Sequence, residues 1–96
     1  MGQGSITVYS PENGSIDCGK WLANQKDVSY RNVYSSWLMG FLSGVALGTK
    51  KDFLGKTSPE STFFWMDRFC LENPLETTVF GSMKLIDELK KQKGIN

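Results

Sequence analysis

Two cysteines, Cys18 and Cys70, bracket more than half of this 96-residue chain. Neither lies in a metal-ligand cluster or a redox motif, so we expect one structural disulfide, which would place the protein in an oxidising compartment. Closing a loop of ~53 residues restricts the unfolded chain and should stabilise the fold by roughly 4 kcal/mol. The alternative is a pair of buried free thiols in a cytosolic protein.

The composition fits one domain and argues against several classes of partner. Hydrophobic residues make up 40% of the chain, which is enough for a single core. The net charge is only +1, so no basic field would attract nucleic acid. Histidine is absent and no cluster of other ligand side chains is present, so we expect neither a metal nor a cofactor.

The N-terminal residues have the features of neither a signal peptide nor a regular element. Residues 1–5 carry no basic region and no apolar stretch. Because the disulfide argument favours export, we expect that a signal peptide has been removed. Residues 1–16 are rich in glycine, serine and turn residues, which predicts a flexible N-terminal arm. Residues 17–94 should then form a single helical domain.

The apolar repeats predict an all-α fold, a small bundle of about four helices with one disulfide. The first helix should cover residues 18–26, with Asp17 as its N-cap. The third helix should follow Thr57 as its N-cap, with Glu60 closing a capping box, and end near Glu72.

The fourth helix should begin at the Asn73-Pro74 turn, because proline is tolerated at the first helical position. Its predicted apolar face consists of Leu75, Val79, Met83, Ile86 and Leu89. On the third helix, three charged side chains should face water: Asp67, Arg68 and Glu72.

The second helix is the longest and should run from about Tyr30 to Leu47. Its apolar positions are Val33, Tyr34, Trp37, Leu38, Phe41, Leu42 and Val45. An adjacent strip forms a small-residue ridge of Ser36, Gly40, Gly44 and Gly48. Such a ridge lets another backbone approach closely, so we expect it to pack inside the protein, with a homodimer contact as the alternative. Residues 32–49 carry no charge, but their serines and glycines favour a buried helix over a membrane span.

A charged loop with two large apolar residues follows the second helix. The candidate partner-binding residues in it are Lys50, Lys51, Asp52, Phe53, Leu54 and Lys56. Phe53 and Leu54 either fold back into the core or stay exposed among the lysines as a partner-binding tip.

No arrangement of residues points to catalysis. The chain has no histidine to activate a serine, threonine or cysteine, and it has no nucleophile elbow or phosphate-binding glycine loop. The carboxylate pairs Asp67 with Glu72 and Asp87 with Glu88 have unspecific spacing and are typical of solvated helix charges. We therefore expect that the protein is not an enzyme.

Three stretches of the chain together resemble a known superfamily. They are Cys18 with Trp21, the run Trp37-Leu38-Met39-Gly40-Phe41-Leu42-Ser43-Gly44, and the run Cys70-Leu71-Glu72-Asn73-Pro74-Leu75. In these stretches the chain resembles the small disulfide-stapled helical envelope proteins that include the HdeA-type acid chaperones and the Tai-type immunity proteins of type VI secretion. The resemblance covers about residues 18–91. It implies an all-helical fold, a bridge between the two cysteines, a periplasmic or secreted location and a role in binding other proteins.

Two functions follow from this resemblance, and a third is open. In the immunity-like function, which we expect, a non-catalytic periplasmic protein plugs an envelope enzyme, a cell-wall amidase, with Phe53 at the tip of the loop and its lysines against an acidic rim. In the chaperone-like function, acid neutralises the ten carboxylates, the formal charge rises from +1 to about +11, and the loosened fold binds unfolded clients. The third is a dimeric accessory or structural subunit joined through the small-residue ridge.

Overall fold

The computed structural model of this protein describes residues 6–11 and 16–96. The described residues form four helices: α1 (Cys18–Ala23), α2 (Val28–Thr49), α3 (Pro59–Glu72) and α4 (Thr78–Lys93). Helix α3 packs against both α1 and α4, and α2 packs against α4. The prediction of an all-α bundle of about four helices is confirmed, and α2 extends beyond its predicted span at both ends. Parts of the predicted arm, residues 1–5 and 12–15, lie outside the described residues.

A polar side chain caps the N-terminus of each helix. The four caps are Asp17, Asp27, Ser58 and Thr77. The predicted cap Asp17 is confirmed, because its carboxylate accepts a hydrogen bond from the Lys20 N–H at 2.7 Å. Helix α1 ends at Ala23, earlier than predicted, because residues 24–26 form the turn that leads into the next cap, Asp27.

The start of α3 differs from the prediction by one residue. Ser58 rather than Thr57 is the cap, because Pro59 occupies the first helical position and the cap directly precedes it. The Ser58 hydroxyl accepts a hydrogen bond from the Ser61 N–H at 3.2 Å. Glu60 therefore stands one position too early for the predicted capping box.

Helix α4 starts later than the predicted Asn73-Pro74 turn, and the cause is long-range. The Cys18 N–H donates to the Glu76 carbonyl at 2.9 Å, and the Ile16 carbonyl accepts from the N–H and the hydroxyl of Thr78 at 2.9 and 2.7 Å. These bonds hold the residues before α4 against the residues before α1, outside any helix. Ile16 is fully buried, so it belongs to the folded domain and not to the predicted arm.

The later start changes the buried face of α4. Its buried residues are Thr78, Gly81, Ser82, Leu85, Ile86 and Leu89. Of the predicted apolar face, Ile86 and Leu89 lie in the core, whereas Leu75 is 98% exposed and Met83 is half-exposed. The predicted positions of Leu75 and Met83 in the core are therefore wrong.

The core lies between the helices and includes the disulfide. Cys18 in α1 and Cys70 in α3 are fully buried and bonded to each other, with their Cα atoms 4.8 Å apart, which confirms the predicted pair. The largest fully buried side chains include Trp21, Tyr34, Phe53, Ile16, Leu38, Leu42 and Met66. Within the described ranges, no helix combines the length and the apolar character that crossing a membrane requires.

Candidate functional site

The loop between α2 and α3 lies against the core and presents no apolar tip. Phe53 is fully buried and Leu54 is half-buried, so the prediction of Phe53 as an exposed anchor is wrong, and the alternative of folding back into the core is confirmed. Lys50 and Lys56 adopt the left-handed backbone conformation, with φ angles of 58° and 65°, on either side of Phe53. Complete burial of a phenylalanine side chain is favourable by roughly 2–3 kcal/mol, which is the physical reason for its inward position.

The charged residues of the loop stay near the surface. Lys50, Asp52 and Lys56 are exposed, whereas Lys51 is half-buried and donates a hydrogen bond to the carbonyl oxygen of Asn96. Of the exposed lysines, Lys50 directly follows the C-terminal end of α2, whereas Lys56 lies near the start of α3.

The small-residue ridge of α2 faces outward. Its members Ser36, Gly40, Gly44 and Gly48 are exposed, and a Cβ at any of the three glycines would meet no atom of the described residues within 4 Å. The prediction that the ridge packs inside the protein is therefore wrong. The residues that α2 buries are Tyr34, Ser35, Leu38 and Leu42. Tyr34, Leu38 and Leu42 bury more apolar area than glycines would. The homodimer alternative stays a prediction.

Apolar side chains flank the ridge and extend it into an uncharged surface. We call this surface the outer face of α2, and it consists of Val33, Ser36, Trp37, Gly40, Phe41, Gly44, Leu47 and Gly48. Leu47 is 81% exposed, and the half-buried rings of Trp37 and Phe41 have centroids 5.4 Å apart. The helix rises about 22 Å between Val33 and Gly48, so the uncharged strip follows most of its length.

The outer face ends in a shallow groove beside the loop. The groove has a volume of about 420 Å³ and is lined by Ser43, Ala46, Leu47, Lys50, Lys51, Asp52 and Leu54. Leu47 and Leu54 supply apolar lining, and the exposed Lys50 and Asp52 supply charge. The fold thus brings several of the predicted loop residues next to the helix that carries the ridge.

A segment of the N-terminal arm contacts the outer face. Trp37 Nε1 donates a hydrogen bond to the Tyr9 carbonyl at 2.8 Å. The side chains of Ile6 and Tyr9 are nevertheless 90% and 86% exposed. Sequence reasoning missed this contact, because no motif or periodicity links two residues that are 28 positions apart.

Asp67 does not face water as predicted. Its carboxylate pairs with the Arg31 guanidinium at 2.8 and 3.1 Å and accepts a hydrogen bond from Trp21 Nε1 at 2.7 Å. The guanidinium carbon of Arg31 lies 5.2 Å from the ring centroid of Trp21 and 5.8 Å from that of Phe63. A two-point ion pair and two aromatic contacts hold this group between α1, α2 and α3, so its role is structural.

The carboxylate pair of Asp67 and Glu72 is therefore divided between two environments. Glu72 is exposed and pairs with Arg68 at 3.6 Å, one helical turn away. Among residues 6–11 and 16–96, no three His, Cys, Asp or Glu side chains are placed to hold a metal ion. Asp67 and Glu72 are thus each paired with an arginine.

A second cleft, of about 410 Å³, lies between the start of α3 and the end of α4. Its hydroxyl groups already have partners within the protein: those of Ser58 and Ser61 bond to each other at 2.7 Å, and that of Thr57 accepts from the Lys93 ammonium at 2.9 Å. The other polar side chains that line the cleft, apart from Thr62, are those of Lys56, Glu88 and Gln92.

Comparison with protein-family models, with curated proteins and with solved structures finds no match to this chain. Membership of the superfamily of HdeA-type and Tai-type proteins stays a prediction. The proposed function therefore rests on the geometry and chemistry of the protein's surface.

Proposed function

We propose that this chain is a non-catalytic protein-binding protein of an oxidising compartment, and that it contacts its partner through the outer face of α2. The three glycines of that face carry the proposal. A glycine in a helix interior costs about 1 kcal/mol relative to alanine. A Cβ atom at any of the three glycines would have no neighbour within 4 Å among the described residues, so no close packing there offsets this cost. The close approach of a partner's backbone would offset it.

The side chains around the glycines support the same surface. Aromatic residues contribute strongly to binding at protein interfaces, and Trp37 and Phe41 lie next to the ridge. No charged residue occurs between Arg31 and Lys50. A partner can therefore cover the outer face without removing a charge from water.

The partner that we propose is an enzyme of the cell envelope, which this protein inhibits by covering part of its surface. The buried disulfide supports an oxidising compartment, and the family resemblance supports the periplasm and the inhibitor-like role. Since Phe53 is buried, the loop supplies no apolar anchor. Lys50 instead meets an acidic rim of the partner beside the groove at the end of the outer face.

A binding role also agrees with the chemistry of the polar groups. The chain contains no histidine, and the Asp67 carboxylate is committed to Arg31 and Trp21. The hydroxyls beside the start of α3 are committed to other side chains. These engagements favour a protein that presents a surface over one that performs acid–base or nucleophilic chemistry.

Site-specific photo-crosslinking in cells that export the protein tests the contact surface. A photoreactive residue in place of the exposed Leu47 lies on the outer face and leaves the glycines intact, and one in place of Arg68 is the matched control on the exposed side of α3. We expect position 47 to give an adduct with one envelope enzyme and position 68 to give none. Equal adducts from both positions, or no adduct from position 47, would contradict the proposal.

Inhibition of the captured enzyme by the purified protein is the second measurement. Gly44→Leu places a side chain in open space, so the fold should persist while inhibition weakens at least tenfold, or about 1.4 kcal/mol. Arg68→Leu should leave inhibition unchanged. An adduct of two copies of the chain would favour the dimeric accessory subunit instead. Adducts with many proteins that form only after acidification would favour the acid-activated chaperone.

A further inference from the structure

The contact between residues 6–11 and Trp37 indicates what kind of group the outer face binds. Residues 6–11 belong to no helix, and the Tyr9 carbonyl among them accepts a hydrogen bond from Trp37 Nε1 at 2.8 Å. Phe41 lies one turn further along α2, and its ring is tilted by 42° against that of Trp37. A main-chain group therefore occupies the aromatic part of the outer face.

The chemistry of this contact restricts what can replace the segment. An indole N–H donates and does not accept, and it binds a main-chain carbonyl whatever side chain that residue carries. Carbonyls inside a helix already accept bonds from their own helix, so a non-helical stretch is the better source of an acceptor. Residues 6–11 and the outer face are both uncharged, so an uncharged occupant loses the least hydration on binding.

We propose that the outer face of α2 binds a non-helical, uncharged peptide segment of its partner through a main-chain carbonyl on Trp37 Nε1, and that residues 6–11 occupy this place until the partner displaces them. The inference rests on the proposed function, because it names the part of the partner that the same face takes. Gly40 and Gly44 lie about one and two turns from Trp37 and leave room there for a second backbone.

Residues 6–11 expose most of their side chains, as a displaceable segment does. Ile6 and Tyr9 are largely exposed and add little to the attachment, whereas Ser10 is half-buried and makes a further contact. A neutral hydrogen bond such as that of Trp37 changes an equilibrium by roughly two- to tenfold. The share of the competition that comes from the Trp37 bond should therefore lower the affinity for a partner by a factor in that range.

Nuclear magnetic resonance of the 96-residue chain tests the internal contact. Trp37→Phe keeps an aromatic ring and removes the N–H, so the amide signals of Tyr9 and Ser10 should move and their heteronuclear NOE should fall. Trp65→Phe is the matched control, because Trp65 is also a half-buried helical tryptophan, and it should leave both signals unchanged. Identical Tyr9 and Ser10 signals in Trp37→Phe and in the unsubstituted protein would overturn the proposal.

A peptide added to the isotope-labelled 96-residue chain tests the occupant. The probe is the unlabelled hexapeptide of residues 6–11 with both ends capped. A tethered segment has an effective concentration in the millimolar range, so roughly 10 mM peptide should displace at least half of it. The Tyr9 amide signal of the released segment should then move, while the Trp37 indole, which receives an identical acceptor from the peptide, and the Trp21 indole, which donates to Asp67, should keep their signals. An unmoved Tyr9 signal, or equal movement of the Trp21 signal, would overturn the proposal.

The inference and the proposed function fail in different ways. Movement of the Tyr9 signal by the peptide, with no crosslinked protein at position 47, supports the peptide site and contradicts the proposed function. A crosslinked enzyme at position 47 together with an unmoved Tyr9 signal contradicts only the peptide site. If the Tyr9 signal changes when the protein is diluted, the segment belongs to a second copy, and its intramolecular occupancy is overturned.

Discussion

The junction of α1, α2 and α3 and the outer face of α2 are built in opposite ways. The junction contains the disulfide, a two-point ion pair and an indole hydrogen bond to the same carboxylate. The outer face contains no charge and three glycines that are open to solvent. Interactions that specify the fold are thus concentrated in the first region, so substitutions in the second should change binding without unfolding the protein.

Loss of the disulfide should have the largest effect on the junction. Cys18 and Cys70 are 52 positions apart, so breaking their bond should lower the free energy of unfolding by about 4 kcal/mol. Urea unfolding followed by tryptophan fluorescence, with and without reductant, measures the change. The control is the double variant Cys18→Ala/Cys70→Ala, which should be less stable from the start and insensitive to reductant. A loss below about 1 kcal/mol would show that the disulfide does not dominate the junction.

Truncation of Phe53 compares the core with the outer face directly. Phe53→Ala should lower the free energy of unfolding by about 3 kcal/mol, because it leaves a cavity in the core. Leu47→Ala is the matched truncation on the outer face and should change stability by less than about 0.5 kcal/mol. Chemical unfolding measures both variants. If Phe53→Ala kept full stability and abolished partner binding, the exposed-tip interpretation of the loop would be restored.

Neutralising Asp67 tests whether the ion pair of the junction is structural. Asp67→Asn leaves the Arg31 charge without its carboxylate, and since the Asp67 side chain is 19% exposed, the loss should be about 2 kcal/mol, less than for a fully buried pair. Glu72→Gln is the control, because Glu72 is 65% exposed in its pair with Arg68 and should matter by less than about 0.5 kcal/mol. Equal stability of the two variants in thermal or urea unfolding would contradict this difference between the sites.

The parts of the fold that the sequence predicts correctly depend on local chemistry. The four helices follow from apolar repeats and turn residues, the Asp17 cap from its position before α1, and the disulfide from the number of cysteines. The errors arise where distant residues meet. The start of α4 is set by bonds between Ile16 and Thr78, and the position of Phe53 is set by the core that surrounds it. Neither the start of α4 nor the burial of Phe53 can be recognised from the residues next to it in the sequence.

The sequence predicts which residues form the ridge of the candidate site, but not that they face outward. The physical reason lies in the composition of α2. The ridge residues are recognisable from their spacing, but residues 32–49 carry no charge that would mark one side of the helix as solvent-facing. Apolar side chains occur around most of the helix, so periodicity alone does not show which side is buried. The hydrogen bond of Trp37 to the Tyr9 carbonyl depends on the folded path of the arm and has no sequence signal.

The smallest expected change in stability separates the outer face from the packed interior most clearly, because its sign differs between them. Gly44→Ala places a methyl group in open space and should raise the free energy of unfolding by about 1 kcal/mol. Gly81→Ala is the matched control, because its methyl group would lie 2.8 Å from the Met66 sulfur and 2.9 Å from the Phe69 ring, and it should destabilise the protein. Urea unfolding of both variants measures the signs, and destabilisation by Gly44→Ala would show that the outer face is not open. If Gly44→Ala stabilises the fold and weakens partner binding, glycine at this position serves the contact and not the folding of the chain.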